Sequence, residues 1–206
     1  MADVTVVIPA YNEAGRIGRV VRAVRRDWQV LVVDDGSSDG TAGEASAAGA
    51  TVVRQPTNRG YIAALKRGFR EADGEVLVTF DADGEHRSAD IARLVEPVRR
   101  DDYDLVLGAR ATIPRPSERL LNAIARRRVD VDDTGTGFRA LNRDLALRLD
   151  LETVCTCGTL VLEAAAKGAR IGEVPIETES IAKPRGIAWG HALQLLHVLW
   201  YLIAAP

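Results

Sequence analysis

Three acidic clusters carry the residue types that chemistry needs: Pro9-Ala10-Tyr11-Asn12-Glu13, Asp34-Asp35-Gly36-Ser37-Ser38-Asp39-Gly40-Thr41 and Asp81-Ala82-Asp83-Gly84-Glu85-His86. In an extended or turning segment Asp81, Asp83 and Glu85 point the same way. Their carboxylate oxygens suit Mg2+ or Mn2+, which keep positions open for water and substrate phosphate. Such an ion neutralises the charge that develops on a departing diphosphate. An Asp-x-Asp taken alone reads equally well as a turn with solvated carboxylates. A calcium loop is excluded, because its sixth and twelfth positions need Gly and Glu and hold His86 and Ala92 here. In the second cluster, Gly36 and Gly40 permit close backbone approach, and the carboxylates can accept from a base or a ribose. The alternative there is a solvated turn capped by Asp39 or Thr41. Neither Gly-x-Gly-x-x-Gly nor a phosphate-binding loop is present, which disfavours an NAD enzyme or a P-loop ATPase.

The elements that must hold these clusters read as alternating strands and helices. Val4 to Ile8 is a β-branched run, as a strand buried on both faces requires, and Pro9 is expected to end it. Ile17, Val20, Val21 and Val24 recur at helical spacing. Val30 to Val33 and Thr51 to Val53 read as strands, with a helix between them opened by a Thr41–Glu44 capping box. Gly60 to Ala72 reads as a helix and Val76 to Phe80 as a fourth strand. Ser88 is placed to cap the next helix, and Leu105 to Leu107 is a fifth strand. This order indicates an α/β fold, a mostly parallel sheet with helices on both faces, whose ligands bind at the carboxyl ends of the strands. The acidic clusters sit there. A haloacid-dehalogenase-type phosphatase would carry its Asp-x-Asp after the first strand, not the fourth. Beyond Gly108, residues 111–118 read as a loop, Leu120 to Arg128 as a helix and 130–137 as a functional loop. Leu160 to Lys167, Ile171 to Ile176 and Gly190 to Ala205 read as helix, strand and helix. Asp101, Asp102 and Asp104 read as a solvated turn.

The 206 residues make one domain the expectation over 1–206, with no linker long enough to divide it. A net charge of -2 argues against nucleic acid as a partner. Cys155 and Cys157, with no further ligands nearby, read as two reduced, half-buried thiols in a cytoplasmic setting rather than as a zinc site. The amino terminus does not read as a signal peptide. The apolar run Leu193 to Ala205 is shorter than the ~20 residues of a membrane span. It fits a core helix, a dimer face or an interfacial helix in peripheral contact with the inner face of a membrane. His191 and His197 on it read as interfacial or core residues.

Taken in order, Val6-Val7-Ile8-Pro9-Ala10-Tyr11-Asn12-Glu13 and Val32-Val33-Asp34-Asp35-Gly36-Ser37-Ser38-Asp39-Gly40-Thr41 resemble the opening of the family-two glycosyltransferases, which have the GT-A fold. Asn58-Arg59-Gly60 is similar to the family's next motif. Asp81 to His86, Gly108-Ala109-Arg110, Asp133 with Gly137-Phe138-Arg139, Glu163 and Glu173-Val174-Pro175-Ile176 resemble the branch of dolichyl-phosphate mannose synthases and polyprenyl-phosphate glycosyltransferases.

The resemblance implies an inverting hexose transfer from a GDP- or UDP-sugar to a lipid phosphate. A soluble acceptor is the second reading, and a non-catalytic nucleotide-sugar-binding subunit the third. It implies a donor half over about 1–110 and an acceptor half over about 111–206. Pro9, Tyr11, Glu13, Val33, Asp35, Asp81 and Ala82 would hold the nucleotide sugar. Asp81, Asp83 and Glu85 would hold Mg2+ or Mn2+. Asp83, Arg110, Asp133 and Arg139 would serve the reacting centre, with Arg110, Arg139 and an arginine near 115–119 clamping the acceptor phosphate. The chain departs from the branch at Glu85 (usually Gln), Ala109 (Ser) and Ala188-Trp189 (Ser-Lys), and Lys183 precedes Gly186 where an Arg is usual. The family's more usual Glu-Asp base motif is missing, and Glu163 is its nearest counterpart.

Overall fold

The computed structural model describes residues 3–113, 115–152, 155–178 and 197–198. Among them, β1 (Val4–Ala10), β2 (Gln29–Asp34), β3 (Thr51–Arg54), β4 (Val76–Thr79), β5 (Leu105–Arg110), β6 (Arg139–Asn142) and β7 (Ile171–Ile176) form one sheet in the order β3-β2-β1-β4-β6-β5-β7. β1 to β4 are parallel, as are β5 and β7, whereas β6 runs antiparallel to both β4 and β5. The helices are α1 (Ile17–Val24), α2 (Thr41–Ala47), α3 (Tyr61–Glu71), α4 (Ile91–Arg99), α5 (Pro116–Ala125), α6 (Arg143–Arg148) and α7 (Thr159–Ala166).

Strand alternation sorts the core into two layers. Val4, Val6, Ile8, Val30, Val32 and Val78 point to one face and pack with Ile17, Val21, Ala45 and Leu94 of α1, α2 and α4. Val7, Leu31, Val33, Leu77, Leu105 and Leu141 point to the other and pack with Leu65 and Phe69 of α3 and residues of α5, α6 and α7. Because both faces are covered, the central strands are apolar throughout. This is the α/β arrangement expected.

Several local expectations change for identifiable reasons. β1 runs through Pro9 to Ala10. Phe80 N–H donates to Val7 O and Asp35 N–H to Ala10 O, so Pro9 faces the β4 side, beyond the last paired residue there, and its missing N–H costs no ladder bond. The Thr41–Glu44 capping box does not form, because both side chains instead accept amides of the 13–15 loop. Ser88 opens a short 3-10 turn without capping α4. The fifth helix begins at Pro116, whose fixed φ suits a first helical position, and ends at Ala125. Residues 111–118 are therefore only partly loop. Asp101, Asp102 and Asp104 do lie in a largely exposed turn, where Asp101 and Asp104 also bind the Arg170 guanidinium, at 2.5 and 3.0 Å. β6 and α6 were not anticipated. The expected last helix lies outside the described residues except His197 and Val198, which are helical.

Gly68 sets the distance between α3 and the sheet. A Cβ on it would meet Val7 Cγ1 at 2.2 Å and Val33 Cγ2 at 3.3 Å, both in the core. Gly68→Ala is expected to destabilise the fold by about 1–3 kcal/mol through overpacking. Tm should fall by about 2–4 °C per kcal/mol, measured by urea and thermal unfolding; unchanged stability would mean that α3 is free to shift.

Candidate functional site

β1, β2 and β4 all deliver their loops to one end of the sheet, and antiparallel β6 starts there. Thr79 of β4 pairs with Arg139 of β6, so the 130–138 loop arrives beside the 81–86 loop. The loops after β1, β2 and β3 are tied to one another, mostly by backbone amides. Asn12 N–H donates to Ser37 Oγ at 2.9 Å and Glu13 N–H to Thr41 Oγ1 at 2.8 Å. Ser38 N–H donates back to Asn12 Oδ1 at 3.0 Å. Asp35 is buried and accepts from Gln55 Nε2, Arg59 N–H and Gly60 N–H, each at 2.8 Å. It therefore anchors the 55–60 loop at the site's edge. Tyr11 is 46% exposed, with its ring free to lie against a base. Pro9, Val33 and Ala82 are buried, Val33 in the core against α3.

In the third loop, single ligand atoms of Asp81, Glu85 and His86 lie within 4.8 Å of one another. Asp83 stands beside this triple, with Oδ1 accepting Glu85 N–H at 2.9 Å. His86 is 6% exposed and packs between Phe80 and Phe138, at ring distances of 5.8 and 5.1 Å. Its Nδ1 is buried without a hydrogen-bond partner among the described residues, while Nε2 is 3.2 Å from Asp81 Oδ2. His86 was not picked out from the sequence as a ligand. Its position directly after Glu85 was the available signal.

The residues fit a divalent ion. Two donors at right angles around an octahedral ion, each about 2.1 Å from it, are about 3.0 Å apart, close to the Asp81–His86 separation. The local charge also calls for a cation. Burial raises Glu13 above its ordinary carboxylate value; Arg16 opposes this, and the negative charges of Asp83, Asp39 and Asp81 add to it.

Two buried arginines flank the acids, in different situations. Arg110 donates from Nε to Asp133 Oδ2 at 2.6 Å and from Nη2 to Asp133 Oδ1 at 2.9 Å and Glu118 Oε2 at 3.1 Å. Arg115 donates to the other Glu118 oxygen at 2.8 Å. Burial works against the Arg110 charge, but Asp133 and Glu118 outweigh it and hold its pKa above the ordinary value. Arg110 and Asp133 are thus brought together as a fork-to-fork pair that closes the 130–137 loop. Arg139 is fully buried. Its Nη2 donates to Thr156 Oγ1 at 3.1 Å, the guanidinium also hydrogen-bonds the Tyr61 hydroxyl, and its Nε and Nη1 are buried with no well-formed hydrogen bond among the described residues. Burial and the Asp81 charge raise the Tyr61 hydroxyl, with Arg139 opposing, which puts that hydroxyl within electrostatic reach of both. Tyr61, Glu118 and Thr156 were not singled out in the sequence. Glu163 lies elsewhere: it is buried and accepts Asp150 and Leu151 N–H at 2.5 and 3.0 Å, a loop anchor. A cavity of about 400 Å3 lined by Thr5, Trp28, Gln29 and Thr51 opens at the opposite, amino ends of the strands and has no part in this grouping.

Gly137 joins the two sides. A Cβ there would lie 2.2 Å from Asp81 Oδ2. Gly137→Ala is therefore expected to displace Asp81 and weaken Mn2+ binding at least about tenfold, read as free Mn2+ by electron paramagnetic resonance, with Tm little changed. Unaltered Mn2+ affinity would remove Asp81 from the metal site.

Residues 5–162 match the family model described as Glycosyl transferase family 2. The chain is 33% identical over 205 residues to the undecaprenyl-phosphate mannosyltransferase of Micrococcus luteus, covering 84% of this chain and 82% of that one. It is 28% identical over 219 residues to the UDP-N-acetylglucosamine–dolichyl-phosphate N-acetylglucosaminyltransferase of Methanococcus voltae, covering 86% and 87%. Among solved structures it is similar to glucosyl-3-phosphoglycerate synthase of Mycobacterium tuberculosis in complex with Mn2+, UDP and phosphoglyceric acid. That likeness has a TM-score of 0.81 and 22% identity, over 99% of this chain and 79% of that one. The three loops at the strand ends and the match across most of the chain agree: this protein is a glycosyltransferase of family 2, with the GT-A fold.

Proposed function

We infer that the chain transfers a hexose, with inversion, from a nucleoside-diphosphate sugar to the phosphate of a polyprenyl phosphate. The observation that carries the acceptor class is Arg139. A fully buried guanidinium with two nitrogens that make no well-formed hydrogen bond among the described residues is costly unless an anion meets it, and Asp133 and Glu118 are already taken by Arg110. An acceptor phosphate supplies the charge and the oxygens, and a guanidinium fork suits them. The related undecaprenyl-phosphate and dolichyl-phosphate transferases support a lipid carrier.

In this reading the strand ends up to about residue 110 take the donor and the remainder takes the acceptor. Tyr11 lies against the base, and Asp35 holds the loop that borders it. Asp81, Glu85 and His86, with Asp83 beside them, hold Mg2+ or Mn2+, which when bound offsets the charge of the leaving diphosphate. The acceptor phosphate is already ionised, so it needs orientation more than a strong general base. Arg139 orients it, and the Arg110–Asp133–Glu118 cluster keeps the 130–137 loop in place. A phosphorylated soluble acceptor is the second reading, favoured by the fold likeness to glucosyl-3-phosphoglycerate synthase. Both acceptors present the same phosphate to Arg139.

Labelled sugar transfer from GDP-mannose and UDP-glucose, with Mn2+ and an EDTA control, tests this. Metal-dependent label in the organic phase with polyprenyl phosphate is the expected result. Label appearing only in the aqueous phase, with a phosphorylated small molecule, would replace the lipid reading. Asp81→Asn is expected to lower transfer by at least about 100-fold together with Mn2+ affinity. Arg139→Lys should raise the acceptor KM by at least about tenfold and leave nucleotide affinity unchanged. An unchanged acceptor KM would take Arg139 out of the acceptor site.

A further inference from the structure

Cys155 and Cys157 bracket Thr156, the residue that holds Arg139 through its hydroxyl at 3.1 Å. Neither is in a disulfide, and both residues are half-buried. Cys157 N–H donates to Cys155 Sγ at 3.3 Å, so the first thiol is folded forward over the residue that carries the second. The loop is pinned on both sides. The Thr159 hydroxyl at the start of α7 donates to Cys155 O at 3.0 Å. Gly158 N–H donates to Thr134 O, in the 130–137 loop, at 3.3 Å. Cα atoms two residues apart are at most about 7 Å from each other, and a disulfide spans about 4.4–6.8 Å. Closing this pair therefore turns one peptide segment and moves no helix or strand. The Cys155 thiol is also primed. Its hydrogen bond with the Cys157 thiol does most to lower its pKa; burial opposes, and the Cys157 amide and the Arg139 charge assist. The thiolate is the attacking form.

We propose that Cys155 and Cys157 form a reversible internal disulfide, made by exchange with a low-molecular-weight disulfide, that detaches Thr156 from Arg139 and weakens the site's hold on its anionic acceptor. The effect on the acceptor rests on the role given to Arg139 above; the disulfide itself does not. The Cys155 thiolate attacks one sulfur of the small disulfide, forming a mixed disulfide and releasing one small thiolate. The Cys157 thiolate then attacks Cys155 Sγ and expels the second. Two protein thiols are oxidised, the small disulfide is reduced to two thiols, and the two protein-derived protons end on those thiols or in solvent. The ring so closed cannot keep Cys155 Sγ on the Cys157 amide. Thr156, caught between the two sulfurs, must rotate and withdraw Oγ1 from Nη2. Arg139 then loses the Thr156 hydrogen bond that helps fix its plane and keeps only its contact with the Tyr61 hydroxyl among the described residues.

The full chain would be incubated with glutathione disulfide and its thiols counted, with intact and peptide masses. The expected product has lost two thiols and two hydrogens in the 155–157 peptide, with no glutathione attached, and dithiothreitol reverses it. Cys157→Ser should stop at the glutathione adduct on Cys155. Unreacted thiols, or a stable adduct on the unsubstituted chain, would overturn the disulfide. Binding of inorganic phosphate by calorimetry, reduced against oxidised, then reads the consequence without relying on sugar transfer. About tenfold weaker binding on oxidation, missing in Cys155→Ser, is expected. Equal phosphate affinity in a chain whose disulfide has formed would overturn the coupling to Arg139. If no sugar transfer is found with any acceptor but phosphate affinity still falls on oxidation, the functional reading fails and the switch stands.

Discussion

Because β6 runs antiparallel between β4 and β5, its first residue, Arg139, lies opposite Thr79 at the end of the sheet where β4 delivers Asp81. An all-parallel sheet would have put the start of β6 at the far end. The reversal needs the 130–137 loop to turn beside the acids, and the turn is tight: Thr79 Oγ1 donates to Gly137 O at 2.6 Å, and Asp81 occupies the space a Cβ on Gly137 would take. The 81–86 loop and the 130–137 loop are therefore in direct contact through one glycine.

That contact concentrates charge of both signs in a small volume, and partner choice decides what is left over. Burial and the charges of Asp83, Asp39 and Asp81 raise the cost of ionising Glu13 at the mouth, and a divalent ion would offset that charge. On the other side the nearby carboxylates could have neutralised either arginine. Asp133 and Glu118 both go to Arg110, and Glu118 reaches Arg115 as well. Arg139 is left with the Thr156 and Tyr61 hydroxyls. Burying an ion with a neutral partner is unfavourable, so its retention makes sense where an anion completes the shell.

The elements that could be read from the amino-acid sequence were those whose own residues declare their burial. β1, β2 and β4 are unbroken apolar runs because both faces of the sheet are covered, and α1 shows its buried stripe at helical spacing. β6 could not be read: it is four residues, Arg139 to Asn142, opening on a charge and closing on an amide. Its strand state comes from pairing on both sides, with Leu77 and Leu105 each meeting Leu141. In the site, the three acidic loops were visible because carboxylates after strands have few other uses. The distinction between Arg110 and Arg139 was not, since both follow similar short motifs. It depends on Asp133, 23 residues from Arg110 in sequence, choosing one of them. His86 was hidden for a related reason: its value comes from the Phe80 and Phe138 rings that hold it against Asp81, and Phe138 belongs to the distant loop.

The two sides of the grouping are held in different ways. The residues around Tyr11, Asp35 and Asp81 are fixed by β1, β2 and β4, whose register is set by continuous ladders. The other side depends on short segments joined by side chains: Asp133 to Arg110, Thr156 to Arg139, and Asn122 to Thr134. Side-chain ties of this kind can be rebuilt by single substitutions, whereas a ladder shift of one residue would turn every buried side chain of a strand to the wrong face. Change is thus cheapest in the half that can be altered without unmaking the sheet, and Arg139 stands at the border, held in register by β6 and bonded to Thr156 of a loop.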